Sequence, residues 1–350
     1  MINPLKFKNV GIVSYGVYIP KFRIKSSEIA KKWKIDLSSI ASLGVNEKAV
    51  ADWDEDCLTM AVEASKIALT NINLNPKNIG ACFMGSESFP YAVKPISTIL
   101  ANIIGMDNEY YSSDLQFACK AGTSAIQIVA SMIESGMIDY GLAVGSDKSQ
   151  SKPNGVLEFT AGSGAAAFIL GNNKNKWIAS LNETLSYSSD TPDFWRREKC
   201  NYPSHAGRFT GKPSYFRHIV ECTNSLLNSI NLKREDIDNI AFHSPNKKFP
   251  ITAAKLLGFN EKQLKYSLLV EEIGNIYSGS SLISLANVLD HAKNQQKILL
   301  TSYGSGAGSD SLYFSTKKAI LHYKNIKILK KLQHKLYLNY SEYQSKMDSK

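Results

Sequence analysis

The sequence predicts an α/β protein, on three observations. Short apolar runs rich in Val, Ile and Phe alternate with amphipathic stretches of helical period, and glycine clusters punctuate the ends of those runs. The chain is 350 residues long, enough for two α/β halves that share one core without a linker. Its 43% hydrophobic and 21% charged residues are those of an ordinary globular protein, not a disordered or fibrous one.

In chain order, strands are expected over residues 10–18, 79–86, 140–146, 164–170, 239–244, 297–303 and 311–316, and the main helices over 56–71, 93–105, 120–135, 216–231 and 280–294. The first helix starts after Asp54 and Asp56, where a carboxylate caps free amides, and the fourth follows Pro213, which ends the preceding loop. A polar stretch at 171–178, GNNKNKWI, reads as a seam, giving an N-terminal half over 1–172 and a C-terminal half over 173–321. Beyond residue 321 the strand pattern fails, and the lysine-rich, tyrosine-containing segment 322–350 reads as a basic tail appended to the fold.

The formal charge of +10 raises the question of nucleic acid. Seven lysines lie between Lys324 and Lys350 against only Glu342 and Asp348, so half of the excess sits in that tail. The remainder forms no stripe or nucleic-acid-binding motif, which points away from nucleic acid and suits an anionic, phosphate-bearing ligand. The opening residues MINPLKFKNV carry no secretory pattern, and no apolar run reaches the roughly 20 residues that span a bilayer, so a cytoplasmic protein with no membrane contact is expected. Five scattered cysteines without C-x-x-C spacing argue against disulfides and against a structural metal.

Three segments carry candidate chemistry. In DLQFACKAGTSAIQ, Cys119 falls where an extended segment meets a helix, in what reads as the helix's first turn. The partial positive charge and free amides of a helix N-terminus favour a thiolate and stabilise an adjacent oxyanion, and Ala121 and Gly122 leave room for a substrate. The segment alone fits a buried structural cysteine equally well. In GSESFPYAVKP, Glu87 stands at a strand end, placed either as a general base with a raised pKa or as a solvated loop residue. In NIAFHSPNKKFP an apolar strand delivers His243 at its end, a placement that His205, His218, His291, His322 and His334 lack. Two loops, IGNIYSGSS with Asn275 and SYGSGAGSD with Ser305, put amides and small polar side chains at the ends of apolar segments. All five features sit at strand or helix ends, where they can converge on one pocket.

Taken together, YGVYIPKFRI, SESFPYAVKP, FACKAGT, DTPDFWRR, GRFTGKP, FHSPNKKFP, IGNIYSGSS and YGSGAGSD resemble the archaeal-type 3-hydroxy-3-methylglutaryl-CoA (HMG-CoA) synthases of the thiolase superfamily, over roughly residues 9–320. FACKAGT or GNIYSGS alone marks only the superfamily, whereas DFWRR with SES and FHSPN points to the synthases. The resemblance implies a thiolase fold of duplicated α/β halves in a five-layer αβαβα arrangement, with the active site where the halves meet. It implies that Cys119 takes an acetyl group from acetyl-CoA, that Glu87 removes a methyl proton, and that His243 acts as the acid, holding the ketone of acetoacetyl-CoA. It further implies an oxyanion hole of the Cys119 and Ser305 amides, with Asn275 near the second substrate. Thr160, Arg208 and Thr210 would contact the acyl chain or CoA, and Lys248 the CoA phosphates.

No cofactor is implied, since the CoA thioesters are substrates. The partners implied are a second copy of the chain, as a homodimer or dimer of dimers, and an assembly with an acetoacetyl-CoA thiolase and a small zinc-binding OB-fold protein. The chain departs from the family pattern at Thr252, where an arginine is common, at Lys212, where an acidic residue is usual, and in SKPNGVLEFTAGSG, which lacks the usual aspartate after the glycine. Two other readings stay open: a related β-branching synthase acting on thioesters carried by an acyl-carrier protein, and a non-catalytic scaffold of a thiolase assembly.

Overall fold

The structure is a computed structural model, and it describes residues 3–323 and 327–347. Nine strands build the central sheet: β1 (Gly11–Tyr18), β2 (Ile79–Gly85), β3 (Tyr111–Leu115), β4 (Tyr140–Asp147), β5 (Gly164–Gly171), β6 (Ala179–Ser188), β7 (Asn239–Phe242), β8 (Lys297–Thr301) and β9 (Gly308–Thr316). A short strand, Leu5–Lys6, pairs with β6 and makes it ten-stranded. Six helices cover or divide the sheet: α1 (Cys57–Ile72), α2 (Ile96–Ile104), α3 (Ala121–Glu134), α4 (Arg217–Ile230), α5 (Lys248–Leu257) and α6 (Tyr277–His291).

The strand order contains its own repeat. In the first half it runs β1-β5-β4-β2-β3, and in the second β6-β9-β8-β7. Within each half the second and penultimate strands pair in parallel, β2 with β4 and β7 with β8, and the last strand lies antiparallel between the first and the penultimate. The halves join at an antiparallel contact of their first strands, where Gly11 faces Ser180 and Ile12 faces Ala179. This is the duplicated α/β arrangement the sequence resemblance implies.

Helices α1 and α2 pack on the outer face of the first half-sheet and α4 with α5 on that of the second, while α3 and α6 lie against each other between the two. A helix between two sheets has no solvent face, and every residue of α6 from Tyr277 to Leu289 is buried. At the head of α1, the Asp56 carboxylate accepts the Thr59 amide in a capping box, as its place in the sequence predicts.

The central helices meet at backbone contact. A Cβ on Gly122 would stand 2.6 Å from the Ser278 carbonyl oxygen, and one on Gly145 would stand 2.5 Å from the same atom. Gly122 therefore serves the closure of α3 on α6 rather than access of a substrate, which corrects the sequence-based reading.

Some elements differ from expectation. Strand β6 escapes the apolar pattern because its outer residues are polar, among them Asn182, Glu183 and Ser186, and β3 is a half-exposed edge strand. The residues before α4 are not a plain loop: Gly207–Phe209 is helical and Thr210–Phe216 winds as a π turn around Pro213. Among its described residues, the C-terminal segment is woven into the fold and is not an appendage. Leu336–Tyr337 pairs in parallel with Phe22–Arg23, completing a small sheet with Glu47–Val50. Tyr343 accepts a hydrogen bond from Lys48 Nζ at 3.0 Å, and the Tyr340 hydroxyl donates to Glu158 Oε1 at 2.9 Å. Ile328, Leu332 and Leu338 enter the hydrophobic cores beside these polar contacts, but so few apolar positions among lysines and tyrosines leave only a weak periodic signal in the sequence.

The Gly122 contact is testable. Gly122→Val forces a branched side chain against the Ser278 carbonyl and lowers stability by about 1–3 kcal/mol, read as a lower midpoint in chemical denaturation; an unchanged midpoint would show that the helices can separate there without cost.

Candidate active site

The duplication brings four loops to one place. Strands β2 and β7 hold corresponding positions in the two halves, and each passes into a loop that carries a titratable group: Glu87 two residues past Gly85, and His243 directly after Phe242. The two central helices correspond in the same way. Cys119 stands two residues before α3 and Asn275 two residues before α6. Both helix entries contain a non-glycine residue in the left-handed region, Ala118 with φ 45° and Tyr277 with φ 43°, a conformation kept only where the surroundings over-determine it.

Between these loops lies a cavity of about 230 Å³, whose walls include Cys119, Thr160, Thr210, His243, Asn275 and Ser305. The thiol of Cys119 is buried and donates to Glu87 Oε1 at 2.7 Å. The Asn275 amide donates to the Thr160 carbonyl at 2.7 Å, and the Gly162 amide returns a bond to the Asn275 carbonyl at 2.8 Å. His243 is fixed by its main chain: its amide donates to the Thr301 carbonyl at 3.0 Å and its carbonyl accepts the Tyr215 hydroxyl at 2.6 Å.

Of the binding residues implied by the resemblance, Thr160, Thr210, Asn275 and Ser305 line the cavity. Lys248 does not. It is exposed at the start of α5, just beyond the cavity residue Asn246, while its neighbour Lys247 is engaged with Glu271 at 2.8 Å. Thr252 lies half-buried on α5 and Lys212 is exposed on the π turn. The side chain of Arg208 lies outside the described residues.

Several further positions shape the site although the sequence motifs assign them no role; Asp193 and Arg196 fall within DTPDFWRR and Tyr277 within IGNIYSGSS, whereas Asp147 lies outside every motif. Asp147, at the end of β4, is fully buried. Its Oδ1 accepts the Glu87 amide at 2.7 Å and the hydroxyls of Ser86 and Ser88 at 2.8 and 2.7 Å, and its Oδ2 accepts the Ser278 amide at 2.9 Å. The signal available in the sequence is its place in GSDKSQ, a carboxylate at a strand end like Glu87. A second buried carboxylate, Asp193, accepts the Tyr303 hydroxyl at 2.7 Å and the Gly306 amide at 2.8 Å, and so shapes the loop of Ser305. Arg196 donates to the Glu87 carbonyl at 3.2 Å from the other half of the chain. Tyr277 adds its ring to the cavity wall.

Burial, and after it the charge of Asp147, pushes the Glu87 carboxyl up to about 8. Burial, and after it Glu87, pushes the Cys119 thiol well above its usual value. The site therefore holds Cys119 as a thiol hydrogen-bonded to Glu87, and the thiolate expected from a helix N-terminus is not its resting form. The helix end contributes at most about 2 kcal/mol, and Cys119 stands just ahead of the N-cap, Lys120. Burial lowers His243 to about 3, so its ring is neutral at physiological pH. Its Nδ1 is buried with no partner, which favours the tautomer carrying the proton on Nε2.

Comparison with known proteins bears on the family and the fold. Residues 6–175 match the model of the hydroxymethylglutaryl-coenzyme A synthase N terminal family, and residues 227–316 that of the 3-oxoacyl-[acyl-carrier-protein] synthase III C terminal family. A hydroxymethylglutaryl-CoA synthase of Archaeoglobus fulgidus is 51% identical over 336 residues, 95% of this chain and 97% of its own. The chain belongs to the hydroxymethylglutaryl-CoA synthase family. A further synthase, from Methanocaldococcus jannaschii, is 50% identical over 95% of this chain and 97% of its own. Among solved structures, an HMG-CoA synthase complexed with CoA superposes with a TM-score of 0.88 at 21% identity, covering 97% of this chain and 91% of that one. MvaS in complex with 3-hydroxy-3-methylglutaryl coenzyme A gives 0.88 at 22%, covering 97% and 92%. The fold is thus the thiolase fold of these synthases. Among the described residues no helix is long and apolar enough to cross a membrane.

The electrostatics of the pair set the sign of a thiol-reactivity test. Glu87 raises the Cys119 pKa both by charge and by accepting its hydrogen bond, so Glu87→Gln shifts the pH midpoint of Cys119 alkylation by iodoacetamide downward and speeds alkylation at pH 8. A slower reaction in the variant would mean that Glu87 activates the thiol instead of restraining it.

Proposed function

We propose that this synthase condenses acetyl-CoA with acetoacetyl-CoA and water to give 3-hydroxy-3-methylglutaryl-CoA and CoA, the step that feeds mevalonate and isoprenoid precursors. The observation that carries the reading is the 2.7 Å contact of Glu87, which stands behind the cavity wall, with the Sγ of Cys119, which lines the cavity together with His243. A nucleophile alone would serve acyl transfer. A carboxyl with its pKa raised toward 8 beside that nucleophile adds a base able to act on an acyl group mounted there.

Cys119 attacks the thioester carbonyl of acetyl-CoA, CoA leaves as the thiol, and acetyl-Cys119 forms. Glu87 then takes a proton from the acetyl methyl, and the enolate attacks the C3 ketone of acetoacetyl-CoA. His243, neutral in the free enzyme, donates from Nε2 to that ketone oxygen as it gains charge. A neutral imidazole polarises the carbonyl by its hydrogen bond, and the alkoxide is finally protonated by a proton equal to the one Glu87 took from the methyl group, so the condensation leaves no net charge behind. The amides of Cys119 and Ser305 serve the acetyl oxyanion, and Asn275 the second substrate. Water finally cleaves the Cys119 thioester and frees the product. Thr160 and Thr210 line the path of the acyl groups, Arg208 precedes Thr210 by two residues in the chain, and Lys248 is an exposed cation suited to CoA phosphates. No cofactor enters this scheme.

A second reading has specific support: the curacin biosynthetic pathway HMG synthase, in a structure with its holo donor-ACP, superposes with a TM-score of 0.87 at 21% identity. That likeness speaks for fold, whereas the near full-length relatives at about 50% identity are named as CoA enzymes, which favours CoA as carrier. A non-catalytic scaffold is disfavoured by the intact Cys119–Glu87 contact. As partners we infer a second copy of the chain, for which the exposed edge strand β3 offers unpaired backbone groups, with an acetoacetyl-CoA thiolase and an OB-fold protein as further candidates. A cytoplasmic site of action accords with the soluble substrates.

The decisive assay is release of free CoA from both substrates with the product identified by mass; activity only with carrier-bound thioesters would move the assignment to the β-branching class. Glu87→Ala retains acetylation of Cys119 but slows condensation by about 10²–10⁴-fold, measured as acetyl-enzyme by intact mass and as product. Equal loss of both steps would sink the role given to Glu87.

A further inference from the structure

The residue that follows the nucleophile is a lysine whose side chain does not line the cavity. Lys120 is 3% exposed, and its ammonium lies 2.8 Å from Asp310 Oδ1, itself fully buried on β9 of the other half. The ammonium also donates to Ser124 Oγ at 3.0 Å and stands 3.8 Å from the Phe117 ring centroid. Asp310 in turn holds the first turn of α3, accepting Thr123 at 2.8 Å and Ser124 at 3.2 Å on Oδ2, and it accepts Ser186 at 2.7 Å on Oδ1.

The same lysine seats the loop that carries Ser305. A Cβ on Gly304 would stand 3.0 Å from Lys120 Cγ, 3.3 Å from its amide nitrogen and 2.5 Å from the Phe117 carbonyl oxygen. The Cys119–Lys120 dipeptide is thus pinned in two directions. Sγ turns to Glu87 of the first half and Nζ to Asp310 of the second, and Gly304 rests on the lysine stem.

A buried ion pair gains little net stability, because removing both charges from water costs about as much as their attraction returns. Packing alone would be met as well by an apolar pair. What an ion pair adds is a fixed relative geometry, since any shift of either element leaves a buried charge unpaired. We propose that Lys120 and Asp310 are positioning residues for catalysis, setting the height of Cys119 against the Ser305 loop across the junction of the halves. The proposal rests on the reading of Cys119 as the acetylated nucleophile.

The test compares the full-length enzyme with Lys120→Met/Asp310→Asn, which removes both charges together. The expected result is a cooperatively unfolding variant in which acetylation of Cys119 at saturating acetyl-CoA slows by about tenfold or more, while KM for acetyl-CoA stays within about twofold. If the double variant does not fold, Asp310→Asn alone, which keeps shape and an acceptor, is held to the same criteria. A folded variant that acetylates within about twofold of the parent overturns the proposal, whatever its melting temperature, because a merely structural pair would change stability and not the rate per folded molecule. Acetylation of the parent is the separate control: a parent that forms no acetyl-Cys119 refutes the nucleophile assignment instead.

Discussion

One buried carboxylate holds the two halves of this chain at the place where they act. Asp147 ends β4 in the first half, and it accepts hydrogen bonds from the Ser86–Ser88 turn of that half and from Ser278 at the head of α6 in the second. A carboxyl taken wholly out of water costs several kcal/mol unless donors surround it. Burial raises its pKa, and those donors offset only part of the rise. The exchange fixes the main chain of Glu87 through its own amide, so that turn cannot move without leaving Asp147 short of a partner. Every distance in the site that involves Glu87 inherits that constraint.

The duplication explains why the site is at the junction. Corresponding strands deliver Glu87 and His243, and corresponding helices begin beside Cys119 and Asn275. Close approach of α6 to α3 and to β4 then requires glycine at 122 and at 145 respectively, because the Ser278 carbonyl occupies the space a side chain would take. Two carboxylates reach across the seam in opposite senses: Asp147 grips the head of α6 and Asp310 the head of α3. Each central helix is thereby indexed by the half to which it does not belong.

The electrostatic character of the resting site follows from the same enclosure. Cys119 is a thiol, Glu87 titrates near 8 and His243 is neutral, in each case with burial as the largest cause. A site that carries little charge before substrate arrives makes the charge developed on an enolate and an alkoxide the dominant field, and preplaced donors are worth most there. Helix-end electrostatics, which the sequence position of Cys119 brings to mind, are the smaller effect beside a carboxylate in direct contact.

What the sequence by itself determined is local: the α/β class, the strands that end at Glu87 and His243, the helix that opens after Cys119, and the glycine loops around Asn275 and Ser305. Each leaves a signature within a dozen residues, in apolar period, capping or glycine content, and motif resemblance supplied the roles. Only the tertiary structure decided the rest. Strand β6 has a half-polar pattern and is a strand because β9 and β1 flank it. The C-terminal segment docks through Tyr340, Tyr343 and Lys335, residue types that look equally natural in solvent, with Ile328, Leu332 and Leu338 as its few apolar anchors. Asp147, Asp193 and Asp310 read as ordinary acids until partners more than a hundred residues away in the chain surround them. Buried polar contacts between distant segments have no periodicity, and the pKa values they set depend on enclosure, a property of the packed fold and not of any stretch of sequence.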